Sequence, residues 1–321
     1  MRFWLKYGMK LQENQELEYN AFEQGTFYHL VLETLLTLAP SKGWYERGIT
    51  LEEINDLITL TRNSERMALL ESRLPTQPAQ LMAAGKNLQI AAGRVMAALR
   101  HGQMTPKAFE LKFGGHSASE HTDLVVTTKP LDTASGQRVY LEGKIDRIDV
   151  SPQGDVLVYD YKTGTTEIDS VKHRAGIQLQ LPFYMDVVAK GLQLREQDQI
   201  TVAGGFYGKL KYQRSKDADP TVYTGIIDPA RKNLVMDDQA GAEKVYKCNS
   251  RLNLTEYVDS TRTILLDLLN TLFKTEVTPN PYQHDKHRAC DYCPYSHACT
   301  FDARVESYRD IKTSAPATLP I

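Results

Sequence analysis

At 321 residues, 41% of them hydrophobic and 24% charged, the chain is long enough for one large domain or two ordinary ones and for a substantial core. A net charge of −2 argues against a free-standing nucleic-acid binder with a basic surface, and less so against a domain to which partners deliver a strand. No apolar run approaches a membrane span and the N-terminus lacks a signal peptide's apolar centre, so a cytoplasmic location without membrane association is expected.

The chain opens on the aromatic and basic run Arg2-Phe-Trp-Leu-Lys-Tyr-Gly-Met-Lys-Leu11. From Tyr19 to Leu36, aliphatic residues fill most of a helical circumference, and Gly25, His29 and Glu33 stack along one stripe of it. On its own pattern His29 reads as a satisfied core histidine, and Glu33 as a supporting or surface group. Thr50-Leu-Glu-Glu53 makes a capping box for a helix running towards Thr61. Pro75 and Pro78 interrupt the helical pattern, and Ala79 to Leu99 resumes it with Leu88, Ala92, Val95 and Leu99 as core. Residues 37–105 therefore read as a helical insertion, either scaffold or partner-facing. Ala108 to Gly115 reads as a strand in which Glu110 either reaches a site or bonds to a neighbouring strand, and His116 to Gln137 is a polar connection.

Tyr140 to Val150 and Val156 to Tyr161 are rich in aliphatic and β-branched residues, with Ser151-Pro-Gln-Gly-Asp155 between them, which predicts a β-hairpin. Asp146 and Asp160 then face each other. Strand alternation sends Asp160 and Lys162 to one face and Tyr161 to the other. Paired carboxylates favour a hard divalent cation such as Mg²⁺ or Mn²⁺, and a lysine beside it can offset charge on a phosphate. Taken alone, Asp-Tyr-Lys reads most simply as a solvated strand end with a salt bridge.

Val171 to Ala189 predicts one largely buried helix, with Gln180 and Tyr184 a turn apart and Gln178 a weaker candidate. Ile200 to Tyr207 and Val222 to Ile227 read as strands, and Thr255 to Phe273 as a long helix. The local basic groups are Lys172-His-Arg174 and Lys209, Lys211, Arg214 and Lys216; a solvated charged loop explains either equally well. Pro279-Asn-Pro-Tyr282 stops the long helix, and residues 279–302 hold Cys290, Cys293 and Cys299 in C-x₂-C-x₅-C spacing. Three crowded thiolates suit Zn²⁺ or an iron-sulfur cluster, each needing a fourth ligand. His284, His287 and His297 keep a zinc site open.

Gly143-Lys-Ile-Asp-Arg-Ile-Asp149, Asp160-Tyr-Lys162 and Gln180-Leu-Pro-Phe-Tyr184 resemble the core of a RecB-type PD-(D/E)XK nuclease. The similarity extends to both ends of the chain, and lies nearest the C-terminal nuclease domain of the AddB/RexB subunit of bacterial helicase-nucleases. It implies an α/β, restriction-endonuclease-like fold, a mixed central sheet flanked by helices, as one nuclease domain over residues 1–321. It implies metal ligation by His29, Asp146, Asp160 and the Tyr161 backbone carbonyl, with Lys162 catalytic. Gln180 would orient Lys162 or the substrate phosphate, and Tyr184 would hold a strand phosphate. Glu110 falls in the family's Glu-x-x-Phe-Gly.

The implied activity is Mg²⁺-dependent exonucleolytic hydrolysis of single-stranded DNA in double-strand-break processing and recombination repair. The partner would be an AddA/RexA-type helicase subunit, since no Walker-type G-x-x-x-x-G-K-[ST] loop occurs here. In the family the three tail cysteines join one upstream of the aromatic run around a [4Fe-4S] cluster. That fourth cysteine has no counterpart here, because the chain begins after it or because the protein departs from the pattern, and Cys248 does not match its position. The three sulfurs are expected together against Arg2-Phe-Trp-Leu5, with any cluster substoichiometric. Two readings compete: a stand-alone iron-sulfur exonuclease of the CRISPR-adaptation type, and a catalytically idle interaction module. Retention of all four catalytic-type residues argues against the second.

Overall fold

The computed structural model describes residues 4–11, 21–71, 78–100, 103–114, 124–126, 128–164, 167–194, 200–210, 221–235, 245–249, 252–274, 279–291 and 293–314. After a short helical turn at Trp4–Gly8 come the helices α1 (Ala21–Lys42), α2 (Trp44–Arg47), α3 (Leu51–Arg62), α4 (Glu65–Glu71) and α5 (Pro78–Arg100). The strands β1 (Thr105–Phe113), β2 (Leu124–Val126), β3 (Leu131–Asp132), β4 (Arg138–Val139), β5 (Gly143–Val150) and β6 (Asp155–Lys162) follow. Next are α6 (Ser170–Arg174), α7 (Gln180–Gly191), β7 (Leu192–Leu194), β8 (Thr201–Lys209), β9 (Tyr223–Ile227), β10 (Tyr246–Cys248) and α8 (Leu254–Leu272). The tail adds β11 (Tyr282–His284), β12 (His287–Arg288), β13 (Arg309–Asp310) and α9 (Ile311–Ser314).

The expected α/β class is what forms: a six-stranded sheet in the order β1-β5-β6-β8-β9-β10. Its pairs are antiparallel except β6 with β8 and β9 with β10, which are parallel. Strand alternation divides the core between its two faces. Leu157, Tyr159 and Tyr161 pack with α1, α3 and α5, whereas Val156 and Val158 pack with α7 and Tyr257 of α8. No helix among the described residues is long and apolar enough to cross a membrane.

Local chemistry explains the element ends. At α3 the Thr50 side chain accepts from the Glu53 N–H and the Glu53 carboxylate accepts from the Thr50 N–H, the reciprocal cap the sequence predicts. Glu53 also accepts from Trp44 Nε1 at 3.0 Å and pairs with Arg47, fastening α2 to α3. The first helix outruns its predicted end at Leu36 and reaches Lys42, with Pro40 in its last turns. The helix predicted from Val171 to Ala189 is instead two, α6 and α7, because Gly176 turns the chain at φ +75°. Gln178 lies in that turn, where it accepts from the Asp169 N–H and donates to the Glu167 carbonyl, both at 2.8 Å. Of the two basic groups, His173 is buried and 2.8 Å from Thr261 Oγ1, while Lys211, Arg214 and Lys216 lie outside the described residues.

Candidate active site

The hairpin places the two aspartates as its sequence requires. The β5–β6 ladder runs as far as Arg147 opposite Tyr159, and beyond it the Asp146 carboxylate accepts the Tyr161 N–H at 2.7 Å. A side chain thus replaces a strand carbonyl, and the Tyr161 carbonyl is left at the sheet margin. There it meets α1: His29 Nε2 is 3.2 Å from Tyr161 O, and the two rings meet edge-on. Gly208 on β8 leaves room for the Tyr161 ring, which a Cβ there would overlap.

The other nitrogen of His29 faces carboxylates. His29 Nδ1 lies 3.3 Å from Glu110 Oε1 and 3.4 Å from Asp146 Oδ1. Glu110 gets there through an unusual backbone, φ +50° in the middle of β1, between the pairs Phe109 with Arg147 and Leu111 with Ile145. A left-handed non-glycine residue inside a strand costs on the order of 1–3 kcal/mol and marks a position where function outweighs local preference. Among the described residues, His29, Glu110 and Asp146 form the one set of three whose ligand atoms lie within 4.8 Å of one another. Asp160 stands outside that set; Glu110 occupies the place the sequence reading reserved for it. The positive φ that aims Glu110 has no signature in its residue type.

Asp160 is 1% exposed and points towards Lys162, whose Nζ is 2.8 Å from Asp160 Oδ2. That oxygen nevertheless has no properly directed hydrogen bond. Burial, joined by the Asp146 charge, pushes the Asp160 carboxyl up to about 7. His29 moves the same way for a different reason. Burial pulls its pKa down, but hydrogen bonds to Asp146 and Glu110 and their charges prevail and raise it to about 10. The site attracts positive charge strongly enough to hold a proton on an imidazole. With one imidazole, three carboxylates, a strand carbonyl and an orphaned buried oxygen, the donor set fits a hard divalent cation.

Lys162 is positioned by a chain of hydrogen bonds from α7. Its Nζ donates to Gln180 Oε1 at 2.8 Å, and Gln180 Nε2 donates to Tyr184 Oη at 2.9 Å. The break at Gly176 matters here, because it makes Gln180 the first residue of α7 rather than an interior one. All these groups line one cleft of about 630 Å³, together with Gly25, Thr26, Glu33, Arg66, Lys144 and Thr163.

Behind the site, on the α1 face, lies a different kind of charge. Arg147 and Asp149 are both fully buried and joined through both carboxylate oxygens. Arg147 Nη1 also donates to Tyr161 Oη at 3.0 Å and Tyr223 Oη at 3.1 Å, with its guanidinium 4.4 Å from the Tyr159 ring centre.

The tail is tied to the other end of the chain: Tyr295 is buried and donates to the Leu11 carbonyl at 3.3 Å. Arg2 and Phe3 lie outside the described residues. Cys290 and Cys293 share a turn through the Cys293 N–H to Cys290 carbonyl bond, and all three tail thiols are free and half-buried. They do not close into a single-ion site among the described residues, whereas thiolates around one zinc ion stand about 4 Å apart. His284 is turned to Asp169 at 3.3 Å, His287 is exposed, and the His297 side chain lies outside the described residues. Cys248 packs against the α1-side core, and burial pushes its thiol up to about 11.

The family model described as the PD-(D/E)XK nuclease superfamily matches residues 1–300. Similar curated proteins include the B-type subunit of the ATP-dependent helicase/deoxyribonuclease of Moorella thermoacetica, 25% identical over 340 aligned positions covering 95% of this chain. The protein of the same name from Clostridioides difficile is 25% identical over 358 positions covering 95% of this chain, and that from Clostridium kluyveri 25% over 360 positions covering 97%. The chain spans 29% of the length of the first two and 30% of the third.

Proposed function

This chain belongs to the PD-(D/E)XK nuclease superfamily, and from that premise we propose that it is a Mg²⁺- or Mn²⁺-dependent exonuclease domain acting on single-stranded DNA. What carries the reading is one cleft in which Asp146, Asp160, Lys162, His29 and Glu110 meet, with a buried Asp160 oxygen left without a directed partner. His29, Glu110, Asp146, Asp160 and the Tyr161 carbonyl would hold the ion. A divalent ion there supplies polarisation of the scissile phosphate and a lowered pKa for the attacking water.

The chain's own residues do the rest. Lys162 is catalytic: held between Asp160 and Gln180, its ammonium has a further proton to direct at a phosphate oxygen as charge builds there. Gln180 fixes Lys162 by accepting from it. Tyr184 accepts from Gln180, so its own hydroxyl proton remains available for a strand phosphate in the cleft.

Relatives named as B-type helicase/deoxyribonuclease subunits support a place in a cytoplasmic helicase-nuclease acting in recombination repair, with an AddA/RexA-type subunit delivering the strand. Residues 1–321 would form one nuclease domain, with 37–105 a helical insertion and 279–302 a thiolate-bound tail. A [4Fe-4S] cluster takes four thiolates and the tail offers three, so the donor set fits incompletely, and strand cleavage in the cleft does not depend on it.

The test is degradation of end-labelled linear single-stranded DNA by the purified chain with Mg²⁺ or Mn²⁺, against EDTA and the Asp160→Asn protein. Linear DNA is expected to be consumed and circular single strands spared. Failure of the wild-type protein to cut with either ion overturns the reading.

A further inference from the structure

The helical insertion reaches the cleft at one residue, Arg66 of α4. It lines the same cavity as Asp160 and Lys162, and its Nη1 is 2.8 Å from Glu33 Oε2 on α1. Glu33 lies one helical turn beyond His29, about 6 Å along α1. Met67, beside Arg66, is buried in the core, and its N–H is bonded to Ser64 Oγ, so the backbone carrying Arg66 is anchored.

Resting on the nuclease reading above, we propose that Arg66 is a DNA-phosphate clamp. It would grip the phosphate next to the scissile one, with Glu33 as its placeholder when no strand is bound. Three facts favour this. A chain of net charge −2 attracts a polyanion only through local cations, and Lys144 and Lys162 are already paired with Glu110 and Asp160. The Arg66 side chain is 59% exposed, and exposed ion pairs are worth only about 0–1 kcal/mol, so Glu33 yields it readily. A guanidinium binds phosphate through two parallel hydrogen bonds, a stronger arrangement than its single contact to Glu33. Taking Arg66 from Glu33 leaves that carboxylate facing the strand, so Glu33 opposes binding and its neutralisation should help.

The experiment is fluorescence anisotropy of labelled oligo-dT with the full chain in EDTA, across a salt series. Arg66→Gln is expected to weaken binding about tenfold and to reduce the slope of log affinity against log salt by about 0.7. Glu33→Gln is expected to tighten binding, and Arg66→Lys to recover part of the loss. In Mg²⁺ cleavage assays Arg66→Gln should raise KM and leave kcat near wild type. Unchanged affinity and slope in Arg66→Gln, or weaker binding in Glu33→Gln, overturns the clamp while the nuclease reading stands. A wild-type chain that neither binds nor cuts single-stranded DNA removes both.

Discussion

Strand β5 carries buried charge on both of its faces, and the two faces treat it in opposite ways. On the α1 side, Arg147 and Asp149 satisfy each other, with two tyrosine hydroxyls and an aromatic ring completing the guanidinium's surroundings. On the cleft side, Asp146 crowds with Glu110 and Asp160 around a single histidine, and one buried oxygen lacks a directed bond. The matched pair is architecture. The unmatched acceptors favour any added cation, a proton included, which is the electrostatic state a metal-dependent site needs. One residue of register separates the two, because consecutive side chains on a strand point to opposite faces.

The largest effect that tests this contrast is on the unmatched side. Lys162→Ala is expected to reduce Mg²⁺-dependent cleavage by about 10³-fold or more, with circular dichroism and melting near wild type. A Lys162→Ala protein that cuts at the wild-type rate would end the assignment.

On the matched side the expected effect is on stability. Arg147→Met strands a fully buried carboxylate and should cost about 3–5 kcal/mol in urea unfolding. Removing both charges, as Arg147→Met with Asp149→Leu, should restore much of that loss. If the single substitution is neutral, the pair is not the matched element described.

Protons sharpen the comparison further. Asp160 is raised from 3.8 to about 7 and His29 from 6.5 to about 10. For raised groups the folded chain binds more protons than the unfolded one, so stability is fully present below the unfolded pKa and is lost as pH rises through the folded one. In EDTA the melting temperature should therefore fall from about pH 4 to 7 through Asp160 and from about pH 6.5 to 10 through His29. Glu110, which His29 and Lys144 hold low against its burial, acts oppositely and loses its contribution only as pH falls. Mg²⁺ replaces these protons, so it should stabilise more at pH 8.5 than at pH 6. His29→Gln should flatten the decline between pH 7 and 9, and a wild-type melting temperature indifferent to pH there would contradict the electrostatics.

The smallest effect lies far from either charge cluster. Thr50→Ala removes the α3 cap and should cost about 1 kcal/mol while leaving cleavage unchanged, a control showing that modest destabilisation alone does not silence the cleft.

Much of this was legible one residue at a time. Asp146, Asp160 and Lys162 follow from hairpin chemistry and strand alternation, and the Thr50–Glu53 cap follows from four consecutive residues. These are local rules, acting over a few residues. The division of Val171 to Ala189 into α6 and α7 is not legible in the same way, because aliphatic periodicity continues across Gly176, and a single glycine inside a helical pattern is usually tolerated.

By itself, then, the sequence determined the class of fold, the strand pair that carries the chemistry and which of its side chains share a face, because period-two geometry and turn preferences act over a few bonds. Only the tertiary structure decided who joins them. Glu110 meets His29 from 81 positions away through a left-handed bend in β1, and Arg66 meets Glu33 from 33 positions away. It likewise made Arg147 and Asp149 a buried pair, although their neighbour Asp146 is of the same chemical kind. Proximity between distant segments and the dielectric around a charge are properties of the packed whole, and no local pattern of residues encodes them.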